Sequence, residues 1–370
     1  MPKSKGDAPR KSLTAKPARR PTMKDVAKRA AVSLSTVSYV LNDSGPVAAD
    51  RKARVLDAVR ALGYMPNETA RNLKRKSVAT IGLVVPDLVN QFFAMVAEGV
   101  EQAAAERDVL VVFCAPEASG DSESWNSRLL RSQRLDGLIY LSGANSRMQS
   151  LVELIQVGPV VLVDEKLHGF NLPCVVSQNR QGAREIAEHL TSLGHRRLAI
   201  LGGPTELWTA EQRLSGYREA IAAVGMNPDA VPFFAGDYRM ESGERLAAEA
   251  LRGPAGERPT ALICANDLMA IGAMSYCRKV GLDVPGDVSI VGFDDLPISS
   301  LLYPSLTTVR QPARELGFEA AKLLLSLIDG AEAAPPLPAR VTLMIRESSG
   351  PIVALPLNMR RGALGGISCP

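Results

Sequence analysis

The chain has 370 residues, 43 Lys+Arg against 39 Asp+Glu, 46% hydrophobic residues, 5 Cys and 3 His. That length calls for two or three domains with sizeable cores; no apolar run reaches the ~18 residues of a membrane helix, and the basic start (Lys3, Lys5, Arg10, Lys11) leads into no apolar stretch, so neither membrane insertion nor export is expected and the cytoplasm is the expected location. Cys114, Cys174, Cys264, Cys277 and Cys369 are odd in number, far apart and form no CxxC pair, which argues against both a disulfide framework and a structural zinc site.

The net charge of +4 is the sum of two unlike parts. Residues 1–80 hold 18 Lys+Arg and 6 Asp+Glu, leaving 25 and 33 for residues 81–370, so a head of +12 precedes a body of −8. Such a split points to a polyanion-binding module, with nucleic acid the first candidate and an anionic membrane the second. Residues 1–20 are too poor in apolar side chains to build a core and read as a disordered basic tail. Then Thr22 stands as an N-cap with Asp25 at the third helical position, and Val26, Ala27 and Ala30 make the apolar stripe of a short helix. Ala31-Val32 forms a turn, Ser33 caps a second helix through Leu41, and Asn42-Asp43-Ser44-Gly45-Pro46 stops it. A third helix over 49–62 puts Ala53, Leu56, Ala58, Val59 and Leu62 on one face and ends at Gly63. Two short helices at a tight turn, covered by a third, is the helix-turn-helix plan, whose second helix enters the major groove of DNA. Residues 67–76 carry four basic side chains and Leu73 in a stretch too short and polar for a stable helix, so they read as a linker or as a segment that orders on DNA.

From 79 to 345, apolar β-like runs alternate with amphipathic helical stretches. The strands are expected at 80–85, 109–114, 137–141, 160–163, 198–201, 261–264 and 289–291. Helices are expected at 92–107, 122–132, 180–193, 216–224, 242–251, 267–280 and 315–327. Continuous apolar strands separated by helices mean parallel sheets covered on both faces, and this many units favour two α/β lobes over one. Residues 351–370 are Gly/Pro-rich without heptads, hence a frayed tail and no coiled-coil element.

The chain contains no GxGxxG, GxxxxGK[ST], GxSxG or HExxH, so neither a phosphate loop nor a catalytic signature is found, and no cofactor or metal is expected. His168, His189 and His195 are unclustered and read as surface or helix-end residues. Polar residues do recur just past strand ends, where ligands sit in open α/β sheets. They are Asn90 to Phe93, Asp164, Thr209 with Arg213, Asn266-Asp267 and Asp294-Asp295; Asp267 also reads as a helix cap. Facing one another across two lobes, such groups would close on a small polar molecule, with Arg213 suited to a sugar diol and to a carboxylate almost equally.

Residues 22–42 (TMKDVAKRAAVSLSTVSYVLN) and 62–67 (LGYMPN) closely resemble the head of LacI/GalR-family transcriptional regulators. Resemblance continues through IGLVVP at 81–86, DGLI at 136–139, LGHRR at 193–197, RLSGY at 213–217, AND at 265–267, VGFDD at 291–295 and PSLTTV at 304–309, covering about residues 22–348. It implies a three-helix helix-turn-helix head plus hinge helix, then an α/β periplasmic-binding-protein-like body of two parallel-sheet lobes. The implied divisions are a tail at 1–20, a DNA-binding domain at 21–66, a hinge helix and linker at 67–77, an effector-binding and dimerisation domain at 78–349 and a tail at 350–370. The implied function is that of a repressor which binds double-stranded, palindromic operator DNA as a homodimer and responds to a small metabolite, with no catalytic residues. Leu34, Ser35 and Tyr39 match the family's base-reading positions, while Ser33, Thr36, Ser38 and Asn42 match positions nearer the phosphates. Thr22, Asn67, Ala70 and Lys74 complete the implied DNA-binding set, and Leu73 matches the leucine that wedges into a base step and kinks the duplex. Phe93, Asp164, Thr209, Arg213, Tyr238, Asn266 and Asp294 are carried onto the effector pocket. Ala31 replaces the usual turn glycine, and Tyr39 replaces a common arginine, which removes bidentate guanine readout there. Leu207 stands where purine-responsive members present an arginine, favouring a sugar or sugar acid. The rival reading is a solute-binding protein or sugar-processing enzyme with the same two-lobe body.

Overall fold

The structure is a computed structural model and describes residues 21–42, 45–64, 79–87, 89–114, 135–142, 155, 158–254, 256–332 and 334–352. The helix expected at 122–132, the hinge segment at 67–77 and the basic tail at 1–20 lie outside the described residues. The chain divides into two compact units, Met1–Val78 and Ala79–Pro370.

The first unit is built from α1 (Met23–Ala30), α2 (Leu34–Asn42) and α3 (Ala49–Leu62). Asp25 reaches back from the first turn of α1 to accept from the Thr22 amide at 2.7 Å and its hydroxyl at 2.6 Å, which fixes where the helix starts. Ser33 Oγ accepts from the Thr36 amide at 3.1 Å and so caps α2. Gly63 ends α3 in the left-handed region at φ 59°. The small core joins Val26, Ala27 and Ala30 of α1, Val37 and Val40 of α2, Val55 and Ala58 of α3, and Tyr64. On α3 the inward stripe runs Val55, Ala58, Val59, Leu62, the i, i+3, i+4, i+7 set. Ala53 and Leu56, expected on that face, fall outside this phase and are exposed.

The second unit contains two parallel sheets. One has the order β2-β1-β3-β4-β5, made of Leu110–Cys114, Thr80–Val84, Gly137–Leu141, Val160–Val163 and Cys174–Val175. The other has the order β7-β6-β8-β9, made of Phe233–Ala235, Leu198–Gly202, Ala261–Cys264 and Ser289–Val291. Strands β3, β4 and β8 are buried at every position, the signature of a sheet covered on both faces. Covering helices are α4 (Gln91–Ala105), α5 (Asn179–Ser192), α6 (Trp208–Ala223), α7 (Met240–Ala250) and α8 (Asp267–Lys279).

Helix α9 (Ala313–Ile328) returns to the first lobe, where Leu316, Ala320 and Leu324 pack with Ile81, Ile139 and Val161. The chain therefore crosses between lobes after β5, before α9, and again between α9 and β11 (Thr342–Met344), which pairs antiparallel with β10 (Thr308–Arg310). Four short strands, β5, β7, β10 and β11, were not anticipated. Each spans only two or three residues, too few to show a period. Asn266, rather than Asp267, is the N-cap of α8, its Oδ1 accepting from Met269 at 3.0 Å. Asp267 is instead fully buried and accepts from the Leu296 amide and from Ser299 and Thr308, tying α8 to the segment that leads back to the first lobe. At the end of the body, the amide of Gly350 donates to the Ser289 hydroxyl at 3.1 Å and its carbonyl accepts from the ring of buried His195 at 3.0 Å.

Candidate functional site

All seven residues expected around a ligand line one cavity of about 280 Å³ between the lobes. Each is placed just beyond the carboxyl end of a strand or at the start of the following helix: Phe93 after β1, Asp164 after β4, Thr209 and Arg213 after β6, Tyr238 after β7, Asn266 after β8 and Asp294 after β9. This is the crevice that the topology of parallel sheets creates. Three of the seven hold left-handed backbone, Asp164 at φ 67°, Tyr238 at φ 66° and Asp294 at φ 116°. Strain of this kind costs about 1–3 kcal/mol per residue and persists where the surrounding structure fixes a functional geometry.

Arg213 lies at the centre and is almost fully buried. Its Nε donates to Asn179 Oδ1 at 2.8 Å and one terminal nitrogen donates to the Ala265 carbonyl at 2.6 Å. The other terminal nitrogen stands 3.6 Å from Asp294 Oδ1, and the Phe293 ring covers one guanidinium face at 4.0 Å. Burial pushes the Asp294 carboxyl above the usual carboxylate range, against the pull of Arg213. Gln311 donates to Asp294 Oδ1 at 2.8 Å and accepts from Ser177, whose hydroxyl also receives Asn179 Nδ2 at 3.1 Å. Ser177, Gln311, Asp294, Arg213 and Asn179 thus close a buried ring that joins two of the interlobe crossings to the cavity.

Across the cavity, Glu165 is a residue that strand-end reasoning did not single out. It is buried, accepting from the Thr209 amide at 3.0 Å and hydroxyl at 2.7 Å. Burial first, and the adjacent Asp164 carboxylate second, push it up to about 7. The signal that was available is the second acid of the Asp164-Glu165 pair. Asp164 Oδ1 and Ser142 Oγ are also in the lining and are closed off from solvent with no hydrogen-bond partner among the described residues.

In the head, Leu34, Ser35 and Tyr39 are exposed on α2, with Leu34 and Tyr39 showing 45% and 47% of their surface. Ser33, Ser35 and Thr36 share hydroxyl hydrogen bonds of 2.7–2.8 Å, while Ser38 is half-buried. Thr22 is half-buried at the start of α1; only the backbone of Asn42 is described, as the last residue of α2. Lys24, Lys28, Arg29, Arg51, Arg54 and Arg60 are exposed around these helices. Ala31, in place of the usual glycine, closes α1 in the left-handed region at φ 53°. Asn67, Ala70, Leu73 and Lys74 lie outside the described residues.

A helix-turn-helix head joined to a two-lobe α/β body with a buried polar cavity defines a DNA-binding regulator built to carry a ligand pocket. The family model described as bacterial regulatory proteins, lacI family, matches residues 22–67, and the periplasmic binding protein-like domain matches residues 187–349. The transcriptional repressor CytR of Escherichia coli (strain K12) is 35% identical over 309 residues, covering 84% of this chain and 90% of that protein. A crystal structure of the lac repressor dimer bound to operator and the anti-inducer ONPF superposes with a TM-score of 0.77 at 30% identity, covering 90% of this chain and all of that one. The regulator CelR in complex with cellobiose gives a TM-score of 0.65 at 31% identity, covering 89% and 100%. The chain belongs to the LacI family of bacterial regulatory proteins and is a DNA-binding transcriptional regulator, not an enzyme.

Proposed function

We propose that this regulator represses transcription as a homodimer on a palindromic operator, with a small metabolite in the interlobe cavity setting its affinity for DNA. The observation that carries this reading is the convergence of Phe93, Asp164, Thr209, Arg213, Tyr238, Asn266 and Asp294 on one cavity in a chain that also carries a helix-turn-helix head. The kinds of ligand held by its structural neighbours, cellobiose in CelR and ribose in an Enterococcus faecium regulator, support a sugar-sized effector. Exposed apolar side chains support self-association: Leu110 and Phe113 on edge strand β2, and Leu301 and Tyr303 on the loop after β9, are 60%, 56%, 78% and 98% exposed. The lac repressor neighbour is itself a dimer on operator.

On DNA, α2 would lie in the major groove with Leu34, Ser35 and Tyr39 toward base edges, and with Thr22, Ser33, Thr36, Ser38 and Asn42 toward phosphates. Asn67, Ala70 and Lys74 would follow the minor groove, and Leu73 would wedge the central step. Ligand in the cavity biases the arrangement of the two lobes, and with it the operator-competent state of the dimer. No helix among the described residues is long and apolar enough to cross a membrane, and a DNA reader of this kind works in the cytoplasm.

Operator selection from random duplexes, with and without a panel of sugars and sugar acids, tests the reading. An enriched palindrome whose recovery changes with one of the compounds is the expected result. Enrichment of no two-fold symmetric site would reject it.

A further inference from the structure

We infer that the cavity takes an uncharged or cationic hydroxyl-bearing molecule and excludes carboxylic acids and phosphate esters, an inference that rests on reading the cavity as the effector site. From sequence, Arg213 suited a diol and a carboxylate about equally. The structure breaks that tie. All three guanidinium nitrogens already face protein acceptors, namely Asn179 Oδ1, the Ala265 carbonyl and Asp294, and Phe293 covers one face of the group. An incoming anion would have to compete with Asp294 for a buried cation, and uncoupling such a pair leaves an uncompensated buried charge.

The rest of the lining carries the opposite sign. Once Asp294 is set against its partner Arg213, the ionisable groups left in the lining are Asp87, Asp164 and Glu165, with Asp237 and Arg239 at the rim. Asp237 and Arg239 are both exposed, so solvent screens both, and their opposite charges offset. Asp164 Oδ1 has no partner among the described residues and is closed to solvent. Burial pushes the Asp164 carboxyl above its ordinary range, against the pull of Arg213, so keeping this oxygen ionised calls for a donor beside it, a hydroxyl or an N–H. Ser142 Oγ, likewise unpartnered, can complete a pair of contacts to adjacent ligand hydroxyls. Glu165 accepts one Thr209 bond on each carboxyl oxygen and stands beside Asp164 as a second acid. Phe93, Leu207 and Leu268 supply apolar walls, and the volume of about 280 Å³ sits at the small end of ligand sites. The cavity therefore asks for donors on one side and offers no uncommitted positive charge on the other.

The test is thermal-shift screening followed by calorimetric titration of the full chain with compounds that share a skeleton and differ in charge. The panel is D-glucose, D-glucosamine and D-gluconate; D-ribose and D-ribose 5-phosphate; cytidine and cytidine 5′-monophosphate. Binding by neutral or amine members, at least about tenfold tighter than by the matched acid or phosphate, is expected. Asp164→Asn keeps a side chain that tolerates the left-handed backbone at φ 67°, and it should narrow the gap to under about threefold. Ser142→Ala should weaken neutral ligands while leaving the discrimination intact. An acid that binds as tightly as its neutral parent, a gap unchanged in Asp164→Asn, or no shift from any uncharged or cationic member overturns the inference. Duplex binding as a function of salt, measured alongside, judges the regulator reading separately: its loss would reject that reading, whereas a charge preference in the cavity is read from the titrations alone.

Discussion

Arg213 and Asp294 are each buried and each the other's counter-charge, so their value lies in being kept together. Replacing Arg213 with Met leaves the Asp294 carboxyl without a cation and should cost about 3–5 kcal/mol in urea unfolding; adding Asp294→Asn to that variant should recover part of the loss, since the uncompensated charge is then gone. Glu165 gives a pH signature with a definite sign. Its proton affinity is raised from 4.5 to about 7 by burial first and by Asp164 second, so the folded state binds more protons than the unfolded one across that window. Stability contributed by the protonated form is present below about pH 4.5 and is lost as pH rises through about 7. Glu165→Gln should flatten the melting profile between those values by up to about 3 kcal/mol, and a parallel wild-type and variant profile would refute the assignment. In the head, Ala31 at φ 53° occupies a conformation that costs an L-residue about 1–2 kcal/mol. Ala31→Gly should therefore raise the melting temperature of the head, less the entropy that glycine adds to the unfolded chain.

Among the elements, the contact between α4 and α9 depends on two glycines. A Cβ on Gly99 would sit 1.9 Å from the Arg314 carbonyl oxygen, and a Cβ on Gly317 would sit 1.9 Å from that of Val96. Because the clashing atoms are backbone, no rotamer change relieves them. Gly99→Ala should force the helices apart and cost about 1–3 kcal/mol or more, read by denaturant unfolding, with Gly317→Ala acting alike. This contact is what anchors the C-terminal helix to the first lobe, and nothing in the sequence near 313–328 says which lobe it joins. Strands at 137–141, 160–163 and 261–264 were legible to the residue because each is a continuous run of apolar residues and glycine. The start of α6 was not: it was expected from 216 but begins at Trp208. Thr209 and Arg213, buried in those first turns, face the cavity, and a polar residue on the inward face erases the period that marks a helix.

For the whole molecule, the charge split separates approach from choice. Binding of the full chain to random duplex should fall with salt along a log–log line whose slope is about −0.9 per phosphate neutralised, several units in all; a flat response would remove DNA as the partner of the basic head. Leu73→Ala should weaken binding to a selected operator far more than to random duplex, because a wedge acts only where the duplex is kinked. Equal losses on both duplexes would exclude that role for Leu73.

The sequence by itself determined the class of this protein: capped helices in the head, alternating apolar strands and helices in the body, and the strand-end positions of six of the seven cavity residues, with Tyr238 added by the family resemblance. Those features are local, set by caps, periods and spacing along a few consecutive residues. Only the tertiary structure decided how the cavity is wired. It joined Glu165 to Thr209 across 44 positions and Ser177 to Gln311 across 134, and it showed that Arg213 is hydrogen-bonded through two nitrogens and paired with Asp294 through the third. Burial and pairing between distant residues set the charge a site presents, and they arise only when the two lobes and their crossings are brought together.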